Sequence, residues 1–320
     1  GEFPLAAQPV FRREGLTRTT AENLNNMIGS PDLSVAIDQL ERDFPRVKRI
    51  NLVVGWFGTD LRAGACRIRP GMERRDKPTE PIEWGVAGLT REDAHLISQH
   101  GERPAYGGTP SDQTVVDAVR LLKTRGYEVV IYPFVFMDIA PGNGLADPYG
   151  GFEQAPYPWR GRITGSDRSA AVVAEVASFF GGPGDWGLRR MARHYAELAV
   201  EAGADGMLIG SELRGVTTLR DDAGGYPAVA ELVALAGECR VILGAWRSLS
   251  YAADWSEYFG HQPAEGSGHV AFHLDPLWSN GAIDHVAIDW YAPISDWREG
   301  EGHLDALEGW DGVHDLDYLK

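Results

Sequence analysis

Apolar and polar positions change period several times along the chain, and each change marks an element. Leu33, Ile37, Leu40 and Phe44 recur every three or four residues after Ser30 and Pro31, which predicts a helix that Pro45 stops. The run Ile50–Phe57 (INLVVGWF) is short, continuous and rich in branched side chains, the pattern of a strand buried on both faces in a parallel sheet. Residues 58–108 are polar and rich in Gly, Pro and Arg, with only Ile82–Leu89 reading as a short strand. Thr109–Asp138 is the clearest unit. Thr109 is placed to cap a helix, Pro110 suits its first position, Val115, Val119 and Leu122 form its apolar stripe, and Gly126 ends it. Tyr127–Phe136 (YEVVIYPFVF) then predicts a strand, with Asp138 just past its end.

Residues 139–166 form a patternless loop dense in Gly, Pro and aromatics, including Tyr149, Phe152, Tyr157 and Trp159. A loop of that length inside a domain is uncommon unless it is functional or disordered, and its aromatics argue against disorder. Helices are predicted near Arg168–Phe180 and over Leu188–Ala202, the latter closed by Gly203. GMLIGSE (Gly206–Glu212) is a short strand ending in a carboxylate. From Pro227, the positions Val229, Leu232, Ala236, Cys239, Leu243 and Trp246 step by three and four, a helix that precedes strands at Leu249–Trp255 and His285–Tyr291. Residues 4–30 lack periodicity and read as an N-terminal arm, with Gly1-Glu2-Phe3 read as a cloning remnant, so the expected domain is 31–320.

Strands that alternate with helices give a parallel sheet covered by helices. A closed barrel and an open doubly wound sheet both fit that pattern. GWFGTD, which closes the first strand, lacks the spacing of a phosphate-binding glycine loop, and this tilts the reading toward a barrel. Composition narrows the chemistry. A net charge of -16 disfavours nucleic-acid binding and docking on an anionic membrane, and no apolar run is long enough to span one. Cys66 and Cys239 read as two free buried thiols. His269 and His273 are four apart, but with no HExxH and no third ligand nearby they do not make a metal site; neither a metal nor a cofactor is expected. Arg12, Arg13 and the arginines between 62 and 75 read as solvated or ion-paired amid the acid excess.

In a barrel, functional residues sit at the C-terminal ends of the strands. That rule selects Trp56 and Asp60, Asp138, Glu212, Asp254 and Trp255, and Asp289, Trp290 and Tyr291. Carboxylates with aromatics are what glycosidic cleavage requires: one carboxyl protonates the leaving oxygen, a second attacks the sugar or activates water, and flat rings hold the sugar. Glu212 is the foremost candidate. Small Gly210 and Ser211 precede it, and a Glu that ends an apolar strand is costly unless it meets a polar cleft. The bland alternative is a Glu that opens the next loop and pairs with Arg214, just as Asp138, Asp254 and Asp289 could cap turns or pair locally.

Taken together, NLVVGWFGTDLRAG, PAYGGTPSD, VVIYPFVFMDI, ADGMLIGSELRG, SYAADWSEY and DHVAIDWYAPISDW resemble the TIM-barrel-like glycoside-hydrolase domain of phage-tail and gene-transfer-agent baseplate proteins, over about residues 30–320. The resemblance implies an α/β fold of TIM (β/α)8-like barrel type. It also implies a glycoside hydrolase acting on a bacterial envelope glycan by carboxylate acid/base catalysis, within a phage-like particle alongside other tail and baseplate proteins. LIGSEL more distantly resembles the acid/base strand end of mannanase-type glycosidases, which carries that role onto Glu212. Trp56, Asp138, Trp255, Asp289 and Tyr291 become cleft-lining candidates, and Trp159 of the aromatic loop joins them for substrate binding. One departure stands out. Such glycosidases carry their nucleophile at the end of a seventh strand, whereas six strands are read here and Ala292–Lys320 does not read as two more strand–helix units. The barrel is therefore expected to lack its last units in this chain, and no nucleophile is assigned. A sugar-binding module without chemistry and a structural baseplate domain are the competing readings.

Overall fold

The structure, a computed structural model, describes residues 1–15, 17–259, 261–264, 266–291 and 295–320. Helix α1 (Asp32–Asp43) leads into β1 (Arg49–Gly58). Helix α2 (Asp112–Thr124) then precedes β2 (Glu128–Met137), and α3 (Ala171–Phe180) and α4 (Leu188–Ala202) precede β3 (Gly206–Ser211). Helix α5 (Pro227–Leu243) leads to β4 (Ser248–Asp254), and β5 (Ala287–Asp289) is the last strand. These strands lie side by side in chain order, with the two-residue strand Ile68–Arg69 antiparallel on the outer edge of β1. β1 through β4 are mutually parallel. A doubly wound sheet reverses its strand order at a switch point, and a barrel does not. The uninterrupted order is that of a TIM-barrel-like fold, with no closed barrel among the described residues.

Residue parity separates the two faces of the sheet. Leu52, Val54 and Trp56 of β1, Val129, Ile131, Val135 and Met137 of β2, Met207 and Ile209 of β3, and Leu249, Tyr251 and Ala253 of β4 join the helices in the main core. The intervening residues Val130, Tyr132, Leu208 and Ala252, with Phe134 and Ala287, form a smaller cluster on the other face. Because the strands are parallel, all their C-terminal ends meet along one rim. Asp138, Glu212 and Asp254 stand there with Asp60, two residues beyond β1.

Several expectations are corrected. Residues 82–89 contribute no strand to the sheet; only a bridge between Val86 and Leu89 forms there. Their alternating Ile82, Trp84 and Val86 are buried because the segment packs on the core, anchored by Trp84 Nε1 donating to the Thr109 carbonyl at 2.8 Å. Thr109 does not cap α2, whose N-cap is Ser111; its hydroxyl instead donates to the Gly55 carbonyl at 2.7 Å. Trp246 lies past the end of α5 and is exposed. The N-terminal arm has structure of its own. Phe11–Glu14 and Arg18–Ala21 form a hairpin that extends onto Thr79–Glu80. Phe3 is buried, and the Glu2 carboxylate meets Arg91 at 2.7 Å and Lys77 at 3.0 Å, so the residues read as a cloning remnant are packed into the fold.

Residues Asp289–Lys320 form a second compact unit. It contains the short helix Leu304–Leu307, and Trp297 makes edge-on ring contacts with His303 and Tyr318.

Cys66 and Cys239 are both free and buried, and burial pushes their thiols up to about 11 and about 12. A thiolate is the reactive form. Neither cysteine is therefore expected to take up a water-soluble alkylating reagent at neutral pH in the native protein, and both should react in denaturant, as intact-mass measurement would read.

Candidate active site

Glu212 follows the last residue of β3 with a backbone φ of +52°. A left-handed conformation costs an L-residue about 1–2 kcal/mol and survives only where neighbours dictate it. Here β4 dictates it on both sides. The Glu212 N–H donates to the Ala252 carbonyl at 2.8 Å, and the next N–H, that of Leu213, donates to the Tyr251 hydroxyl at 2.8 Å.

The Glu212 carboxylate is almost fully buried, and Oε2 has two partners on the aromatic loop. Trp159 Nε1 donates to it at 2.6 Å, and Arg160 Nη2 forms an ion pair with it at 2.8 Å. Arg160 is itself fixed from several directions. It donates to the Ser211 carbonyl at 2.8 Å and to Ser211 Oγ at 2.7 Å, and its guanidinium lies 3.4 Å from the centre of the Phe134 ring. Tyr132 reaches the same Ser211 hydroxyl at 2.7 Å. Trp159 remains 38% exposed, so its ring is open to solvent while its N–H is engaged. Arg214, the partner in the bland alternative, starts the short helix Arg214–Thr217. Arg160 was missed because it lies 52 positions upstream in a loop with no periodic pattern; the crowding of aromatics around it was the available signal.

A second cluster surrounds Asp138, the residue after β2. His95 Nε2 lies 2.6 Å from Oδ2, and Ser98 donates from Oγ at 2.5 Å and from its backbone N at 3.0 Å. Burial pushes the Asp138 carboxyl upward, but these hydrogen bonds outweigh it and hold the group below its usual range. Aromatic rings flank the cluster. Phe57 stacks on His95, and Tyr106, whose hydroxyl burial and the nearby Asp138 charge push up to about 12, contacts Phe57, Phe136 and Tyr157. The Tyr157 hydroxyl lies 3.3 Å from Ser98 Oγ. Two residues on, Trp159 touches Glu212, so one short stretch of loop spans both carboxylates.

A carboxyl held below its unfolded value stabilises the fold fully above that value, and the contribution disappears as pH falls through the folded value. Asp138→Asn is therefore expected to flatten the acid side of the melting-temperature profile measured from neutral pH down to about pH 3, around the ordinary Asp range.

The remaining candidates are taken one by one. Trp56 is corrected outright. It is fully buried on the helix face, donates from Nε1 to the Tyr195 hydroxyl at 3.1 Å and packs against Trp186 and His194, so it lines no cleft. Strand-end position had selected it, but parity points it the other way. Asp60 is held by Arg62 at 2.6 Å and by Gln154 at 2.8 Å. Asp254 caps the short helix Trp255–Tyr258. Trp255 opens that helix and is 42% exposed. Asp289 and Tyr291 belong to the second unit, where Tyr291 is exposed. His269 is exposed and His273 buried, and neither lies on a helix. Among the described residues no group of three or more His, Cys, Asp or Glu side chains is placed to hold a metal ion.

Comparison with known proteins adds the following. The family described as the GTA TIM-barrel-like domain matches residues 186–320, less than half of the chain. No curated protein matches. Two structures of GH113 β-1,4-mannanase, one of them a complex, are similar at TM-scores of 0.44 and 0.43 with 14% identity. A GH113 β-mannanase from Alicyclobacillus acidocaldarius is similar at 0.36 with 13% identity over 74% of this chain and 53% of its own. The chain is 83% covered in the first two and spans 58% of their length, less than two thirds. At that similarity they bear on neither activity nor substrate. The family match and the ordered parallel strands agree on a TIM-barrel-like fold.

Proposed function

We propose that this chain is a glycoside-hydrolase-type domain in which Glu212 is the reacting carboxylate, acting on a bacterial cell-envelope glycan as part of a phage-tail or gene-transfer-agent particle. One observation carries the chemistry: Glu212 is held in a strained backbone conformation at the strand-end rim, with a partly exposed indole donating to its side chain. Strain retained at a strand end is a mark of a functional position. Trp159 offers a ring on which a sugar face can stack, and Asp138 supplies a second carboxylate on the neighbouring strand. The particle context is supported by the motif resemblance and by the family description over residues 186–320.

The alternative of a sugar-binding module without turnover is favoured by one feature. Oε2 accepts from both Trp159 and Arg160, the arrangement of a carboxylate rather than of a proton-donating carboxylic acid. In the hydrolytic reading that pair opens as substrate enters, and the proton reaches Oε2 before it passes to the leaving oxygen. Release of reducing sugar from a panel of bacterial glycans, peptidoglycan included, separates the two. Product supports the hydrolase. Saturable binding to the same glycans without product supports the module.

A further inference from the structure

We propose that Glu257 is a positioning residue for Glu212, acting through the Tyr251 hydroxyl on the turn that carries it. The inference rests on the reading of Glu212 as the reacting carboxylate. Glu257 lies on the short helix after β4, and its side chain is wholly buried. Three donors converge on it. Tyr251 donates from its hydroxyl to Oε1 at 2.7 Å, Thr217 donates to the same oxygen at 2.7 Å, and the Asp254 N–H donates to Oε2 at 3.1 Å.

The chain of bonds then runs directly to the site. The Tyr251 oxygen accepts from Leu213 N–H, the peptide group immediately after Glu212. A phenol has a single proton to give, and this one goes to Glu257. Remove the acceptor and the hydroxyl turns to find another, which moves the oxygen lone pair that Leu213 N–H uses. Together with the bond from Glu212 N–H to Ala252, this contact holds the +52° residue in place.

An ionised carboxylate suits three donors, and an amide does not. With Gln at position 257, one amide orientation sets an NH2 group against the Asp254 N–H, and the other makes both hydroxyls acceptors, which sends the Tyr251 proton elsewhere. Burial, with the Asp254 charge adding to it, pushes the Glu257 carboxyl up to about 7, although its three hydrogen bonds pull the other way. The titratable groups around it are Asp254 and Tyr251 on β4, His273 on the far side of Thr217 at 3.4 Å, His261 behind His273, and Arg160, which acts on Tyr251. Burial lowers His273 to about 4, so it stays neutral where Glu257 titrates.

The test reads the Trp159 indole N–H in 15N TROSY spectra, assigned with Trp159→Phe, because that N–H bonds to Glu212. In the wild-type protein its shift is expected to step with a midpoint near pH 7. The step should vanish in Glu257→Gln and also in Tyr251→Phe, which keeps the packing and removes the link. On a glycan that is turned over, kcat of either variant should fall by about 10- to 100-fold with KM nearly unchanged, the scale of a small misplacement of a reacting group. A Trp159 profile that is flat in the wild type, or that keeps its step in Tyr251→Phe, overturns the proposal. The spectroscopic test needs no turnover. A protein that releases no sugar yet shows the step only with Glu257 and Tyr251 present would sink the hydrolase reading and leave the coupling standing.

Discussion

Glu212→Gln is expected to lower sugar release by about 100- to 10,000-fold, the usual contribution of a group that moves a proton in the transition state. Gln has nearly the same shape, so Trp159 can still donate to an amide oxygen. What is lost is the charge opposite Arg160 and the capacity to pass a proton. Stability must be followed in parallel. Removing one partner of a buried ion pair commonly costs about 3–5 kcal/mol because the other charge is stranded. Here Arg160 keeps two bonds to Ser211 and its place over Phe134, so the cost should fall at or below the low end of that range. Turnover should therefore be compared at a temperature where circular dichroism shows both proteins folded. Equal activity of the two would remove Glu212 from the chemistry, while equal and saturable binding without product from either would favour the sugar-binding module.

Trp56→Ala is expected to destabilise the domain by about 3–5 kcal/mol, the cost of truncating a fully buried large aromatic side chain. The indole is enclosed by Trp186, His194 and Tyr195, so its removal leaves a large cavity and strips the Tyr195 hydroxyl of its donor. Trp159→Ala makes the contrasting case. Trp159 is partly exposed, and its loss should cost less stability and more glycan affinity. Urea unfolding of the two variants, set beside their glycan-binding isotherms, checks the assignment. A Trp56→Ala protein that keeps wild-type stability and loses binding would return Trp56 to the cleft.

Which parts of this protein can be read from sequence follows from how local each determinant is. The strands Arg49–Gly58, Glu128–Met137, Gly206–Ser211 and Ser248–Asp254 each lie within one residue of their expected bounds at either end, because a buried parallel strand declares itself as an unbroken apolar run. The helix Leu188–Ala202 was equally legible through its apolar period and Gly203, and Pro227–Leu243 through its period, although its end at Gly244 was passed over in favour of Trp246. Position at a strand end drew attention to Glu212 and Asp138 for the same reason, since it requires only that the strand be found.

Tertiary structure alone decided the rest. A side chain's face depends on the parity of the strand against neighbours that the run itself does not name, so Trp56 turned toward the helices. Long-range partners depend on where loops return. Arg160 and Trp159 reach Glu212 from a segment with no period, and His95 and Ser98 reach Asp138 from another, through contacts that no spacing along the chain encodes. The hydrogen-bond chain through Tyr251 and Glu257 was hidden too, because nothing in the local pattern marks a carboxylate three residues past a strand end as buried. Local pattern determines elements because backbone hydrogen bonding and burial act over a few residues. Sites are decided in three dimensions because their polar groups are satisfied by whatever the fold brings beside them.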